Sequence, residues 1–132
     1  MTGVQTCALP ISNMKVVGNC EYGLIFYREK LPKFNKKRKM IFNCIDWERD
    51  DVSSPLIRKI HPTQKPVDLY KWLLKEFAPS GGKILDTHLG SGSIAVACWD
   101  AGIDLTAYEI DKEYYDAACK RFDLHSRQMA LW

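Results

Sequence analysis

The chain has 132 residues, of which 46% are hydrophobic and 27% are charged, a composition typical of one folded globular domain rather than a disordered or fibrous chain. The formal net charge of +3 is compatible with a polyanionic partner but does not by itself indicate nucleic-acid binding. The five cysteines have no CxxC spacing, which argues against a zinc site and a disulfide framework, and no apolar run is long enough to span a membrane. We therefore expect a cytoplasmic protein with reduced cysteines, no metal and no membrane association.

The first twelve residues, MTGVQTCALPIS, contain a short apolar stretch but lack the basic residues of a secretory signal. The run from Gly3 to Ile11 resembles a translated sequencing adapter. We therefore interpret residues 1–12 as a non-native segment and Asn13 as roughly the first native residue. An ordinary disordered N-terminus is the alternative, and under either interpretation we expect the segment to lie outside the fold.

The next segment contains a predicted strand and a basic loop. Residues 21–28, EYGLIFYR, are rich in aromatic and β-branched residues and predict a short strand, which Pro32 follows closely. Residues 30–39 predict an exposed basic loop, and residues 40–47 a second extended piece. A basic run of this kind is usually a solvated loop, but it is also able to contact the phosphates of a nucleic acid. The candidate phosphate contacts are Lys36, Lys37, Arg38 and Lys39.

From residue 66 onward the pattern alternates between helices and strands. Apolar residues at helical spacing predict a first helix, glycines separate the later segments, and short apolar runs predict strands between the helices. Such an order implies parallel strands joined by crossover helices. The predicted fold class is therefore α/β, a partial Rossmann-like fold with a parallel sheet and flanking helices. In chain order the predicted segments are a helix over residues 66–77, a strand over 83–86, a helix over 94–101 ended by Gly102, a strand over 104–109 and a helix over 112–122.

A glycine-containing turn follows the first of these strands. In residues 86–95, DTHLGSGSIA, the strand runs into Gly90 and Gly92 and then into a helix, so the backbone can approach a ligand without an intervening Cβ. Glu109 ends the next strand, where a carboxylate can accept hydrogen bonds from a ribose diol. These positions predict a ligand that contains a nucleoside.

Two classes of nucleoside-containing cofactor remain possible on the glycines alone. Gly90, Gly92 and Ala95 also fit the G-x-G-x-x-A fingerprint of dinucleotide-binding enzymes. Asp86 distinguishes the two classes, because an acid at this strand end would attract the ammonium group of S-adenosylmethionine and repel a pyrophosphate. The pattern therefore favours S-adenosylmethionine, and a nicotinamide oxidoreductase is the alternative.

The order of the motifs resembles one known family. HPTQKP at residues 61–66 is followed by a helix, by ILDTHLGSGS and by YEID, and this order is similar to the permuted β group of DNA amino-methyltransferases, over roughly residues 21–122. That resemblance implies methyl transfer from S-adenosylmethionine to adenine N6 or cytosine N4 in double-stranded DNA. Taken alone, HPTQKP is also explained as a helix-entry loop with His61 at the surface and Thr63 as a cap.

The resemblance also implies which residues hold the cofactor, and it divides residues 13–132 into three parts. Residues 13–60 would be the C-terminal part of a catalytic region, residues 61–125 the S-adenosylmethionine-binding region and residues 126–132 a tail. Adenine is the expected target because it is the more frequent one in this family. The implied cofactor-binding residues are Thr63, Gln64 and Lys65 near the methionine end, Asp86, Gly90, Ser91, Gly92 and Ser93 in the loop, Glu109 at the ribose, and Ile110 and Asp111 beside the adenine.

Two features depart from the family pattern. The D/N-P-P-Y/F/W segment that holds the flipped base in this family does not occur in the chain, so we expect an N-terminally truncated fragment that is inactive on DNA by itself. A structurally complete but inactive relative is the alternative. Many relatives open the glycine turn with Asp-Pro-Phe, whereas this chain has Asp86, Thr87 and His88. That change keeps the acid but replaces a rigid proline and an aromatic ring. A plain nucleic-acid-binding module based on the basic loop is the other alternative.

Overall fold

The protein, seen in a computed structural model, is described over residues 3–7, 22–26, 46, 59–79 and 81–129. The chain divides into two compact units, Met1–Lys33 and Phe34–Trp132. The first unit contains strands β1 (Gly3–Cys7) and β2 (Tyr22–Phe26), which pair antiparallel. Strand β2 confirms the strand predicted over residues 21–28. The predicted basic loop of residues 30–39 lies outside the described residues, as does the predicted extended piece of residues 40–47 apart from Asp46.

Strand β1 corrects one expectation. It falls within residues 1–12, which we expected to take no part in the fold, yet Gly3 lies opposite Phe26 and Cys7 lies opposite Tyr22. Val4 and Thr6 are β-branched, a residue type that suits a pleated strand, and the neighbouring strand supplies a hydrogen-bonding edge. The non-native origin of the segment stays a prediction.

The second unit contains the predicted alternation of helices and strands. The parallel pairing of its two strands is confirmed, with Lys83 opposite Asp104 and Asp86 opposite Ala107. Both strands therefore end at the same edge of the sheet. The elements are α1 (Val67–Phe77), β3 (Lys83–Asp86), α2 (Ser93–Ala101), β4 (Asp104–Ala107) and α3 (Lys112–Met129).

In the second unit, two element ends differ from the prediction by more than one residue. Strand β4 ends at Ala107 because its partner β3 ends opposite it at Asp86. Helix α3 continues to Met129 rather than ending at Phe122, since the residues after Phe122 include no glycine or proline. An Arg127 to Asp123 ion pair at i, i+4 spacing, with an Nη2 to Oδ2 distance of 2.7 Å, further supports the extra turns.

The described core lies between α1 and α2 and reaches the sheet. Leu74 of α1 packs in one buried cluster with Ile94, Ala97 and Cys98 of α2, and Ile84 of β3 packs against the cluster. Ala97 has no exposed surface, and its small side chain lets the two helices approach closely. This packing fixes the start of α2 relative to α1, and therefore the glycine turn relative to the segment that precedes α1.

An ion-pair cluster joins the three helices. Asp100 of α2 accepts from Lys71 Nζ of α1 at 2.8 Å and pairs with His125 Nε2 of α3 at 2.6 Å. Burial raises the pKa of Asp100, but the hydrogen bonds from His125 and Lys71 outweigh that effect, so the pKa lies below its ordinary value. Within the described residues, no helix has both the length and the apolar character needed to cross a membrane.

Candidate functional site

The segments that follow β3 and β4 meet at the carboxyl edge of the sheet. Tyr108 N donates to the Asp86 carbonyl at 2.9 Å, and Leu89 N donates to the Tyr108 carbonyl at 2.9 Å. These two hydrogen bonds extend the strand contact by a few residues. They hold the glycine loop, which we define as residues 86–93, against the residues that follow β4.

The two glycines of the glycine loop adopt left-handed backbone conformations, and their surroundings differ. Gly90 has φ +55°, and a Cβ added there would meet only the His88 carbonyl oxygen, at 3.9 Å. Gly92 has φ +74° and precedes α2, and an added Cβ would lie 3.1 Å from the Ala118 Cβ of α3. Gly90 thus leaves open space in which a ligand can approach the backbone, whereas Gly92 permits close packing against α3.

Glu109 connects the two segments at this edge. Its Oε2 accepts from Gly90 N at 2.7 Å, and its Oε1 accepts from Asp111 N at 3.1 Å. The backbone N–H groups of Asp111 and Gly90, in that order of effect, lower the pKa of Glu109 below its ordinary value. The side chain is therefore a carboxylate at neutral pH, and each oxygen keeps a second acceptor position for a ligand hydroxyl.

Asp86 lies at the start of the glycine loop and is half-buried. Its Oδ1 accepts from His88 N at 2.9 Å, and Thr87 Oγ1 lies 2.9 Å from His88 Nδ1. Thr87 and His88 are exposed. These contacts show how the loop closes locally with Thr and His in the positions where many relatives have Pro and Phe, and they leave Oδ2 as the carboxylate oxygen that could accept from a ligand ammonium.

The HPTQKP segment, residues 61–66, runs into α1. Gln64 N donates to the His61 carbonyl at 3.0 Å, and Gln64 Oε1 accepts from Ile60 N at 2.9 Å. Thr63 N and Thr63 Oγ1 lie 3.2 and 3.0 Å from His61 Nδ1. The residue that caps α1 is Pro66, which makes no side-chain capping bond, so Thr63 does not act as the cap that the helix-entry interpretation requires.

Ser91 and Ser93 are buried and belong to a polar network beneath the glycine loop. Ser93 Oγ donates to the Lys65 carbonyl at 2.7 Å and lies 3.2 Å from Ser91 Oγ. Arg121 Nη1 donates to the Ser91 carbonyl at 3.1 Å and to Ser93 Oγ at 2.9 Å. The network joins the HPTQKP segment to the glycine loop. Arg121 was not among the predicted site residues, because its partners Ser91 and Ser93 lie 30 and 28 positions away in the chain and no local spacing indicates such contacts.

The residues beyond Glu109 form the start of α3. Asp111 Oδ1 accepts from Glu113 N at 2.9 Å and from Tyr114 N at 3.1 Å, the pattern of a helix N-cap. Ile110 is fully exposed. An exposed apolar side chain beside Glu109 is compatible with contact to a flat aromatic ligand.

Two sequence predictions concern the basic loop and metal binding. The basic residues Lys36, Lys37, Arg38 and Lys39 lie outside the described residues. In the part of the chain that the structure describes, no three His, Cys, Asp or Glu side chains cluster as metal ligands.

A family model for DNA methylases of the N6/N4 type matches residues 14–120. The chain therefore belongs to the N6/N4 DNA methylase family, as the motif order predicted.

Individual relatives agree with this assignment. The chain is 36% identical over 66 residues to Type II methyltransferase M.HpaI of Haemophilus parainfluenzae, covering 50% of this chain and 21% of the relative. It is 30% identical over 115 residues to DNA adenine methyltransferase YhdJ of Escherichia coli, covering 81% of this chain and 36% of the relative. The crystal structure of the M1.HpyAVI-SAM complex matches with a TM-score of 0.65 and 25% identity, over 78% of this chain and 50% of that one. The chain thus spans at most half the length of these proteins, and the structural match confirms the partial Rossmann-like α/β fold.

Proposed function

We propose that this chain is the cofactor-holding part of an enzyme that transfers the methyl group of S-adenosylmethionine to the N6 amino group of adenine in double-stranded DNA. One observation carries the proposal. The carboxylate of Asp86 opens the glycine loop at the carboxyl edge of the sheet, and the carboxylate of Glu109 accepts a hydrogen bond from Gly90 N of the same loop. Family membership and the neighbouring M1.HpyAVI-SAM complex support the same cofactor.

The charge at this edge suits S-adenosylmethionine better than a dinucleotide. S-adenosylmethionine carries an ammonium and a sulfonium, and Asp86 is a carboxylate at the point where the methionine part would enter. A pyrophosphate would bring two negative charges toward Asp86 and Glu109 and would be repelled by both. This argument favours a methyltransferase over the nicotinamide oxidoreductase that the glycines alone allow.

Several predicted site residues make contacts that are compatible with the predicted role. Glu109 would bind the ribose hydroxyls through the free acceptor positions of its two oxygens, and the open side of Gly90 would face the cofactor. Ile110 would contact the adenine ring, with Asp111 beside it at the start of α3. Thr63, Gln64 and Lys65 would lie near the methionine end.

These residues would contribute to the reaction by positioning the cofactor rather than by transferring a proton. When bound, S-adenosylmethionine would supply an electrophilic methyl group, and the residues described here would bind and orient it. Asp86 would hold the methionine part of the cofactor and Glu109 its ribose, on either side of the sulfonium, so that the methyl group has one orientation relative to the incoming base. The base itself must leave the helix stack to reach that group.

Adenine is the proposed target because the relative that matches over 81% of this chain is named a DNA adenine methyltransferase. The chain contains no D/N-P-P-Y/F/W segment, so the proposed activity of these 132 residues is cofactor binding without transfer to DNA. Incubation of the 132-residue chain with DNA and radiolabelled S-adenosylmethionine tests this statement. Appearance of labelled N6-methyladenine would contradict it.

Isothermal titration calorimetry with matched variants tests the cofactor site. Asp86→Asn should weaken S-adenosylmethionine binding by about tenfold or more, as expected for a hydrogen bond between charged groups. Asp104→Asn is the matched control, because Asp104 is exposed at the opposite end of the parallel strand pair. Wild-type affinity in Asp86→Asn, or tighter binding of NAD than of S-adenosylmethionine, would refute the proposed site.

The proposed DNA contacts rest on the basic loop alone. If Lys36, Lys37, Arg38 and Lys39 hold phosphates, changing all four to alanine should reduce the slope of log affinity against log salt by roughly 0.9 for each phosphate that is no longer neutralised. Electrophoretic mobility shifts at several salt concentrations measure that slope. An unchanged slope would indicate that these four residues belong to a solvated loop and do not contact phosphates.

A further inference from the structure

One stripe of α3 lies against two segments of the candidate site, the HPTQKP segment and the glycine loop. Tyr114, Ala118 and Arg121 follow the i, i+4, i+7 spacing of a single helix face. The Tyr114 ring centroid lies 4.5 Å from that of His61 in the HPTQKP segment, and Ala118 lies beneath Gly92 of the glycine loop. Arg121, the third member, makes the polar contacts.

Arg121 is buried, with 6% of its surface exposed, and it donates from Nη1 to the Ser91 carbonyl and to Ser93 Oγ. Ser93 Oγ has one proton, which it donates to the Lys65 carbonyl at 2.7 Å. Ser91 Oγ must therefore donate to Ser93 Oγ, which then accepts two hydrogen bonds and donates one. A serine hydroxyl has no further capacity, so its orientation is fixed by its three partners.

We propose that Arg121 is a positioning residue that sets the glycine loop and the HPTQKP segment in the arrangement that binds the cofactor. It acts through Ser93 and the Ser91 carbonyl. This proposal rests on the proposed S-adenosylmethionine site and deepens it. Ser91 and Ser93, which the family resemblance places among the cofactor-binding residues, then shape the loop from beneath and do not touch the ligand.

The chemistry of arginine suits this role. Its guanidinium stays charged at all accessible pH values and presents donors in a rigid plane, so two acceptors on one loop are held at fixed separation. A buried charge is also strongly penalised when its acceptors move away, which makes other conformations of the loop unfavourable. The Ser91 carbonyl and, through Ser93 Oγ, the Lys65 carbonyl are therefore held in place before the cofactor arrives.

Calorimetry on the 132-residue chain tests the proposal. Arg121→Met should raise the dissociation constant for S-adenosylmethionine by about tenfold or more, and Arg121→Lys should have a smaller effect because it keeps one charged donor. Arg127→Met is the matched control, since Arg127 lies on the same helix and pairs with Asp123 at an exposed position. Its dissociation constant should stay within about twofold of wild type.

A double-mutant cycle separates positioning from general destabilisation. If Arg121 acts through Ser93, the Arg121→Met and Ser93→Ala effects on affinity should be less than additive in free energy when combined. Fully additive effects, or wild-type affinity in a folded Arg121→Met chain, would overturn the proposal. If Arg121→Met fails to fold, the Ser93→Ala and Arg121→Lys variants test the positioning role instead. Wild-type affinity for S-adenosylmethionine in Ser93→Ala would then overturn the proposal.

Amide hydrogen exchange on the cofactor-free chain gives a readout that does not depend on the ligand. Arg121→Met should speed exchange at Gly90 and Gly92 and leave Ile103 unchanged, because Ile103 N is bonded to the Cys98 carbonyl at the other end of α2. Unchanged exchange at both glycines would overturn the proposal. If the wild-type chain does not bind S-adenosylmethionine, the proposed function fails, and the exchange comparison alone then decides whether Arg121 positions the loop.

Discussion

The packing of Gly92 against α3 gives a prediction whose magnitude can be worked from the structure. Gly92→Ala introduces a side chain at φ +74°, and a left-handed L-residue costs about 1–2 kcal/mol. The new Cβ also lies 3.1 Å from the Ala118 Cβ, a contact tighter than ordinary packing, and overpacking of this kind adds about 1–3 kcal/mol. The expected loss of folding free energy is therefore about 2–5 kcal/mol.

Gly102→Ala is the matched control, because Gly102 ends the same helix with φ +64° and an added Cβ would meet nothing within 4 Å. It should show only the backbone part of the destabilisation, about 1–2 kcal/mol. Urea unfolding followed by circular dichroism measures both variants. Combining Gly92→Ala with Ala118→Gly should recover part of the stability. Equal destabilisation by Gly92→Ala and Gly102→Ala would refute the contact with α3.

Three ionisable groups give the remaining predictions. Backbone N–H groups, that of Asp111 first, lower the pKa of Glu109, so the stability that its carboxylate contributes is complete above the ordinary pKa of 4.5 and is lost as the pH falls below it. Glu109→Gln should therefore reduce the acid sensitivity of the urea midpoint between about pH 6 and pH 3. An unchanged pH profile in this variant would count against the two hydrogen bonds. Burial raises the pKa of Cys98 to about 11, so iodoacetamide at about pH 8 should modify the exposed Cys119 and spare Cys98. Peptide mass spectrometry measures the modified fraction of each cysteine, and equal labelling of Cys98 and Cys119 would contradict the burial of Cys98. Asp100→Asn should lower the free energy of unfolding by about 1–2 kcal/mol, because Lys71 and His125 lose a partly buried carboxylate partner. An unshifted urea midpoint would show that the cluster contributes nothing to stability.

The order of elements after residue 66 could be predicted because each element carries its own local signal. Apolar residues at helical spacing indicated α1, and glycines marked the ends of α2 at Gly92 and Gly102. The carboxyl edge followed from the parallel pairing, and with it the proximity of Asp86 and Glu109. These predictions depend on local sequence patterns and on the order of the elements along the chain, both of which can be read from the sequence.

The contacts that the sequence did not predict join positions far apart in the chain. Arg121 reaches Ser93, and the His61 ring lies against Tyr114, pairings for which no local spacing gives a signal. Strand β1 was missed for a related reason, because its pairing also depends on an available edge of β2, which lies at least 15 positions away in the chain. Helix α3 was predicted too short because its apolar periodicity fades after Phe122, although no glycine or proline ends the helix there.

The contact stripe of α3 also limits where this chain tolerates changes in length. Each residue of a helix turns it by about 100°, so one residue inserted between Ala118 and Arg121 would swing the guanidinium away from Ser93 while Tyr114 stayed in place. A residue inserted after Arg127 would leave the rotational phase of every site contact unchanged. Insertions and deletions are therefore expected to be acceptable beyond the stripe and excluded within it, whatever the chemical character of the added side chain.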